Sequence, residues 1–302
     1  MVAFVSVYIS GWLIYDKLAT AKYSLAEALF EERNLAAGLE IAGFLFIEIL
    51  IAVSALSGPE VTRMNPAGTM IVDYFRDLES VVITIVFSNI TFFLFRYLAS
   101  KVVKKVFEGK IDQQGDTVAF NNEIFQQKNL GAALFSLSYL LIMYFMILQE
   151  NFLGTPTHLI EGYLNMVGVL VLGLAVYFIH DFFFMDRGHG TLQELFLDNN
   201  PAVGLSLAGF MFTILFLQNR IMEQLEPGEH IFAAGTETYA YLLLLLAFIL
   251  IFRKLFTVSV SYLTGRSFQA EFLEKDNPVA GLMDLSFIAS SGLLLGVLLW
   301  KT

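Results

Sequence analysis

Cysteine is absent from the chain, which excludes disulfides, thiolate metal sites and cysteine nucleophiles. Charge is scarce: 15% of the 302 residues are Asp, Glu, Lys or Arg, where a soluble domain carries about 25%. The basic sign is the scarcer one, and a net charge of −10 argues against nucleic acid, because neutralising phosphates takes clustered Lys and Arg. The four histidines (His158, His180, His189 and His230) lack metal-ligand spacing, so neither a metal nor a cofactor is implied. No Gly-rich phosphate loop, nucleophile elbow or kinase-like signature occurs, and the chain reads as a non-enzyme. The N-terminus has no basic stretch and no small-residue cleavage site of a signal peptide, so Met1 onward reads as a membrane span.

What the chain does have is apolar length. Of its residues 57% are apolar, with 30 Phe and 12 Tyr, a composition suited to lipid-facing surfaces and interfacial belts. Eight segments approach the ~20 residues a helix needs to cross hydrocarbon: 2–19, 35–57, 78–100, 130–152, 160–183, 201–221, 236–257 and 278–300. The fold class is therefore an all-α membrane protein of about eight transmembrane helices, with a lipid bilayer as its solvent. Orientation follows from Lys and Arg. The linkers between spans 1–2, 3–4, 5–6 and 7–8 hold fourteen of the 18, which predicts these linkers to be cytoplasmic and both termini to be non-cytoplasmic. The opposite loops are acidic and would concentrate cations, or they simply lack basic residues because they are translocated.

An internal repeat precedes spans 2, 4, 6 and 8: LFEERNLAAGL, IFQQKNLGAAL, LFLDNNPAVGL and FLEKDNPVAGL. Each has a polar stretch, an asparagine (Asn34, Asn129, Asn200, Asn277) and small residues opening an apolar run. Asn is a favoured helix N-cap, and Pro201 and Pro278 occupy the next position, where a missing N–H costs nothing. Small residues there let a neighbouring helix approach closely. Residues 34–46 match 200–212 at eight of thirteen positions, and Leu137-Ser138-Tyr139 corresponds to Leu285-Ser286-Phe287. The pattern is thus ABAB: four parallel two-helix repeats in two units, 1–155 and 156–302, pseudo-symmetric about the membrane normal. Polar stretches 22–33, 117–128, 190–199 and 260–275 read as amphipathic helices on the cytoplasmic face, as connectors or as a partner's docking surface.

The four asparagine motifs, in units of four spans, resemble the bacterial inner-membrane family called domain of unknown function 350, two copies of which would cover essentially the whole chain. Asn34-Leu35-Ala36-Ala37-Gly38 fits well, Asn200 and Asn277 fit with Pro at the second position, and Asn129-Leu130-Gly131-Ala132-Ala133 is the loosest match. The resemblance implies the fold and an inner-membrane location. It implies no reaction, the family being uncharacterised; its members' neighbourhood with genes for peptide-ligase-like and polyamine-synthesis enzymes implies a cytoplasmic protein partner. Homo-oligomerisation is compatible with a family whose single units must pair to equal this chain.

Charges inside hydrocarbon cost ~2.5–3.5 kcal/mol at mid-helix and are functional candidates. Glu40 and Arg96 fall within about 10 Å of the cytoplasmic boundary on adjacent spans, at ~1.5 Å per residue, and Asp284 and Arg253 repeat that relation. Asp16, Arg96, Asp181 and Arg253 occupy equivalent ends of the odd spans with alternating sign. These groups form either buried ion pairs that staple helices or a polar vestibule. Glu48 lies roughly 20 Å along its span, past the midplane, with no basic residue at that depth and Asn89 of span 3 as a polar partner. It is either a neutral core acid or a proton- or cation-binding carboxylate. The function is accordingly a membrane scaffold or partner subunit, with a transporter or channel for protons, cations or a small cationic solute as the alternative.

Overall fold

The computed structural model describes residues 11–19, 22–56, 70–111, 115–148, 156–186, 190–223 and 236–300. Among these residues, seven helices are long and apolar enough to cross a membrane, as a multi-pass membrane protein requires. They are α1 (Leu35–Leu56), α2 (Met70–Val106), α3 (Leu130–Leu148), α4 (Pro156–Phe184), α5 (Pro201–Met222), α6 (Thr236–Thr264) and α7 (Pro278–Trp300). The first half of the expected first span, residues 2–10 of 2–19, lies outside the described residues, as do the loops 57–69, 149–155 and 224–235. The span's last part, 11–19, is helical and ends in a π-helical turn at Tyr15–Ala19.

Two helices run past their expected ends, α2 to Val106 and α6 to Thr264. A helix need not stop where the bilayer does, and Lys101, Lys104 and Lys105 are good helix formers that carry α2 on as a polar extension. The chain turns out of α2 and α6 near Gly109 and Gly265, which take positive φ values of 77° and 67°.

The expected amphipathic surface helices are shorter than their polar stretches. Each condenses to a junction turn: Glu27–Glu31, Phe120–Phe125, Thr191–Phe196 and Ala270–Glu274, while residues 260–264 belong to α6. Nor do the turns simply rest on a surface, since Phe120, Ile124, Phe196 and Phe272 are buried. One backbone device closes all four. The amides of Glu32, Gln127, Asp198 and Lys275 reach back five residues, and those of Asn34, Asn129, Asn200 and Asn277 reach back six. The residue enclosed between them is left-handed every time: Arg33, Lys128, Asn199 and Asp276, at φ 53°, 57°, 52° and 50°. Because two of these are Arg and Lys rather than Gly or Asn, the stop is invisible to residue preference.

Each junction delivers its asparagine to the start of α1, α3, α5 or α7, where the side-chain oxygen caps the new helix. Asn34 accepts from Ala37 N (3.1 Å), Asn129 from Ala132 N (2.9 Å), Asn200 from Ala202 and Val203 N (2.9 and 3.2 Å), and Asn277 from Val279 N (3.0 Å). The amide ends do a second job. Asn34 donates to the Ile124 and Phe125 carbonyls (2.9 and 3.1 Å), and Asn200 to the Phe272 carbonyl (3.0 Å). In both halves the first asparagine therefore ties its helix to the second junction turn.

The capped helices form a row, α1 to α3 to α5 to α7, with the other helices against its flanks. Of the apolar window of α5, 78% is buried, and of α3 72%, against 17% for α6, so the middle of the row is the core. Close approach depends on missing side chains. A Cβ on Gly281 would sit 2.5 Å from the Ala202 Cα, and one on Gly204 2.6 Å from the Leu134 Cβ. Gly281→Leu should separate α5 from α7 and cost at least the ~1–3 kcal/mol of overpacking. Thermal unfolding in detergent would measure it, and an unchanged midpoint would contradict this packing.

At the motif end, burial and then the charges of Glu194 and Asp198 push the Asp276 carboxyl above its usual value. A raised folded-state value means that this group's stabilisation is complete below the unfolded value, about 3.9, and is lost as pH rises through the folded one. Asn cannot ionise and tolerates positive φ. Asp276→Asn should therefore melt slightly higher than wild type at neutral pH, with the gap closing towards pH 4. A gap that widens on acidification would contradict the assignment.

Candidate functional site

Glu40, Arg96, Asp284 and Arg253 gather into two clusters near the motif end, one in each half. In the N-terminal half, Glu40 on α1 is fully buried. Its Oε1 is ion-paired with Arg96 of α2 and accepts from Ser136 (2.8 Å) and Tyr139 (3.4 Å) of α3, while Oε2 accepts from the Tyr15 hydroxyl. Arg96 also donates from Nη2 to Asn121 (2.7 Å) of the junction turn and lies over the rings of Phe120 and Tyr15 (5.2 and 5.6 Å). Four elements, α1 included, thus meet at one carboxylate, and the junction turn joins them through Arg96.

In the C-terminal half the acid is Asp284 of α7, also fully buried. Arg253 of α6 grips it in a fork, with Nε at 2.9 Å from Oδ1 and Nη2 at 2.9 Å from Oδ2, and its guanidinium stacks 3.7 Å over Phe184 of α4. Two matched donors on a planar group make this the strong form of the contact. The Ser206 hydroxyl of α5 donates to Asp284 Oδ2 (2.6 Å). With that proton committed, Ser206 accepts from His180 Nε2 (3.2 Å), leaving Nδ1 to accept from Thr191 (3.2 Å). Ser, His and Asp are therefore together, but in the wrong order for nucleophilic catalysis, where His must lie between the hydroxyl and the acid.

Counting from the asparagines shows how the clusters are related. Glu40 and Ser206 both stand six residues after their asparagine, and Ser136 and Asp284 both stand seven after theirs. Acid and hydroxyl have exchanged helices between the halves, while arginine stays on the flanking helix in both. Tyr15-Asp16 and His180-Asp181 correspond in the same way, and the residue before the aspartate is the one that enters the cluster.

Asp16 and Asp181 therefore lie elsewhere than their expected role requires. Asp16 pairs with Lys17 (3.1 Å) at the helix end, and Asp181 accepts from the Thr191 amide (2.6 Å) at the start of a junction turn. Neighbouring helical residues point about 100° apart, so only one of each pair can face the cluster.

Glu48 lies two turns beyond Glu40 on α1, 1% exposed. Its partners are Ser88, donating to Oε1 (2.5 Å), and more distantly Asn89 (3.5 Å), which also donates to the Ile85 carbonyl (2.8 Å). Among the described residues no basic side chain pairs with Glu48, and Asn89 Oδ1 has no partner. The equivalent residue of the C-terminal half, fourteen after Asn200, is Ile214, so this acid is unique to one half. Among the described residues, no three His, Asp or Glu group as metal ligands would.

Tyr15, Ser136, Tyr139, Ser206, Thr191 and Ser88 escaped the reading of the sequence, because a hydroxyl in an apolar run carries none of the cost that marks a charge. The asparagine register was the signal that could have found Ser136 and Ser206.

Residues 1–149 and 158–299 each match the family model described as Domain of Unknown Function (DUF350), so the chain is a tandem duplication of that domain. No curated protein and no solved structure matches the chain.

Proposed function

As the chain belongs to the family described as Domain of Unknown Function (DUF350), we propose that it is a non-enzymatic scaffold of the bacterial inner membrane, serving as partner subunit to a cytoplasmic enzyme system. One observation carries this reading: Glu40, Arg96, Asp284 and Arg253 are buried and paired with one another, drawing in side chains from every neighbouring element. Charges placed to meet a solute would face a water-filled path. These bind helices together.

On this reading residues 2–19 are an eighth span, and units 1–155 and 156–302 repeat as ABAB about the membrane normal. The exchange of Glu40 and Ser136 for Ser206 and Asp284 at matched positions supports that order. The basic-residue asymmetry puts the junction turns on the cytoplasmic side, with both termini opposite. Cysteines at residues 112 and 228 should then label from opposite sides.

A polar cleft of about 440 Å³ opens at the motif end, lined by Lys22, Tyr23, Ser24, Glu27, Glu32 and Phe125 among others, and offers the partner a seat. A photo-crosslinker replacing Tyr23 in living cells should capture one defined cytoplasmic protein, and one replacing the exposed Tyr163 on α4 should not. Capture of lipid alone at both positions would overturn the partner role.

A second reading is favoured by Glu48, a buried acid without a counter-charge among the described residues. It makes this carboxyl a proton- or cation-binding group of a transporter. Glu48→Gln keeps the shape and removes the titration. The scaffold reading predicts that reconstituted wild type and Glu48→Gln are both no leakier than empty liposomes under proton or cation gradients. Wild-type flux that is lost in Glu48→Gln would establish the transporter instead.

A further inference from the structure

We propose that copies of this chain associate head to tail in the membrane, α7 of one against α1 of the next, by reusing the interface that joins the two halves of a single chain. That internal interface is α3 against α5. Leu134 packs on Gly204, where an added Cβ would come within 2.6 Å, and the Phe145 and Phe212 rings lie 6.3 Å apart. The row of capped helices continues on one side of this junction to α1 and on the other to α7.

The asparagine register transfers each contact outward. Leu134 is five residues after its asparagine and Phe145 sixteen; on α7 those positions are Leu282 and Leu293. Gly204 is four after its asparagine and Phe212 twelve; on α1 those positions are Gly38 and Phe46. What is covered in the middle of the row is open at its ends, with Leu282 50%, Leu293 47% and Phe46 61% exposed. Lipid needs no glycine from a helix face, whereas a packed helix does. The exposed Ala42 of α1 stands where α5 uses Ala208, and Gly38, half-buried beside Leu29, stands where α5 uses Gly204.

The occupant is thus a second copy, because each end face corresponds in register to one side of an interface the chain already makes. One departure shapes the contact. Val279 stands where α3 has Gly131, so the junction between copies is wider at the motif end than the internal one. Since α1 and α7 present different surfaces, the contact is heterologous and builds a closed ring or an open row.

The chain contains no cysteine, so engineered thiols are the only ones present. Phe46→Cys and Leu293→Cys should be made as single variants with different tags, co-expressed, and oxidised in native membranes. Ala42→Cys with Ser286→Cys supplies a second pair if the first disturbs folding. The expected result is a disulfide-linked dimer carrying both tags, absent when either single variant is expressed alone. A chain carrying both cysteines should give a ladder or one closed multimer. Pairing Phe46→Cys with Tyr163→Cys on α4 should give nothing beyond collision background. No mixed dimer, with both thiols shown present by alkylation after denaturation, would overturn the proposal. Single variants that crosslink to themselves as readily would overturn it too, since that marks a two-fold contact.

Discussion

Asp284→Ala is expected to destabilise the protein by about 3–5 kcal/mol, the loss that follows when one partner of a buried ion pair is removed and the other stays behind. Arg253 would then keep a buried guanidinium between Phe184 and Phe272, stripped of the carboxylate that accepted its paired hydrogen bonds. An unpaired arginine inside a span adds to the cost of insertion, so accumulation in the membrane should fall with stability. The cure is to remove the orphan. Asp284→Leu combined with Arg253→Met should recover most of the loss, because a buried pair is often exchanged for apolar residues at little cost. Thermal unfolding of all variants, read as a double-mutant cycle, separates the pair from its surroundings. An Asp284→Ala protein as stable as wild type would contradict the buried pair, and a double variant no better than the single would contradict stapling as its role.

Asn200→Ala should cost about 2–4 kcal/mol, well above the same change at Asn277. Losing an N-cap costs ~1 kcal/mol, and Asn277, half-buried, loses besides only its bond to Glu271, with no tie to another turn. Asn200 is fully buried and also donates to the Phe272 carbonyl and to Glu194, so its removal adds the ~1–3 kcal/mol of an unmade buried hydrogen bond. Asn200→Asp sharpens the test. It keeps the capping oxygen, loses both donors and sets a second carboxylate beside Glu194, so it should be no better than alanine. Equal losses at positions 200 and 277 would mean that the tie between α5 and the fourth junction turn contributes nothing.

The spans were legible in the sequence because crossing hydrocarbon takes an uninterrupted apolar run, and the pairing of Glu40 with Arg96 and Asp284 with Arg253 because charge at that depth demands an opposite charge. The junction turns were overextended because mixed polar and apolar residues mark the whole connector and not the single turn within it, and because residues 260–264 continue α6. Asp16 and Asp181 attracted attention as charges, yet the side chains that enter the clusters are their uncharged neighbours, Tyr15 and His180. Helical phase decides which of two adjacent residues faces inward, and a strongly apolar span leaves that phase unmarked. Counting from the capping asparagines restores it, which is how the exchanged acid and hydroxyl become visible.

Ser206→Cys tests the central claim, that the paired charges seal the interior and do not line a path. Ser206 is fully buried on Asp284 Oδ2, and cysteine nearly preserves its shape. In native membranes this thiol should resist small charged and membrane-permeant thiol reagents from either side, reacting only after denaturation, while Lys275→Cys at the exposed junction reacts at once. Rapid modification of Ser206→Cys in the folded protein would place water beside Asp284, and the scaffold account would fall.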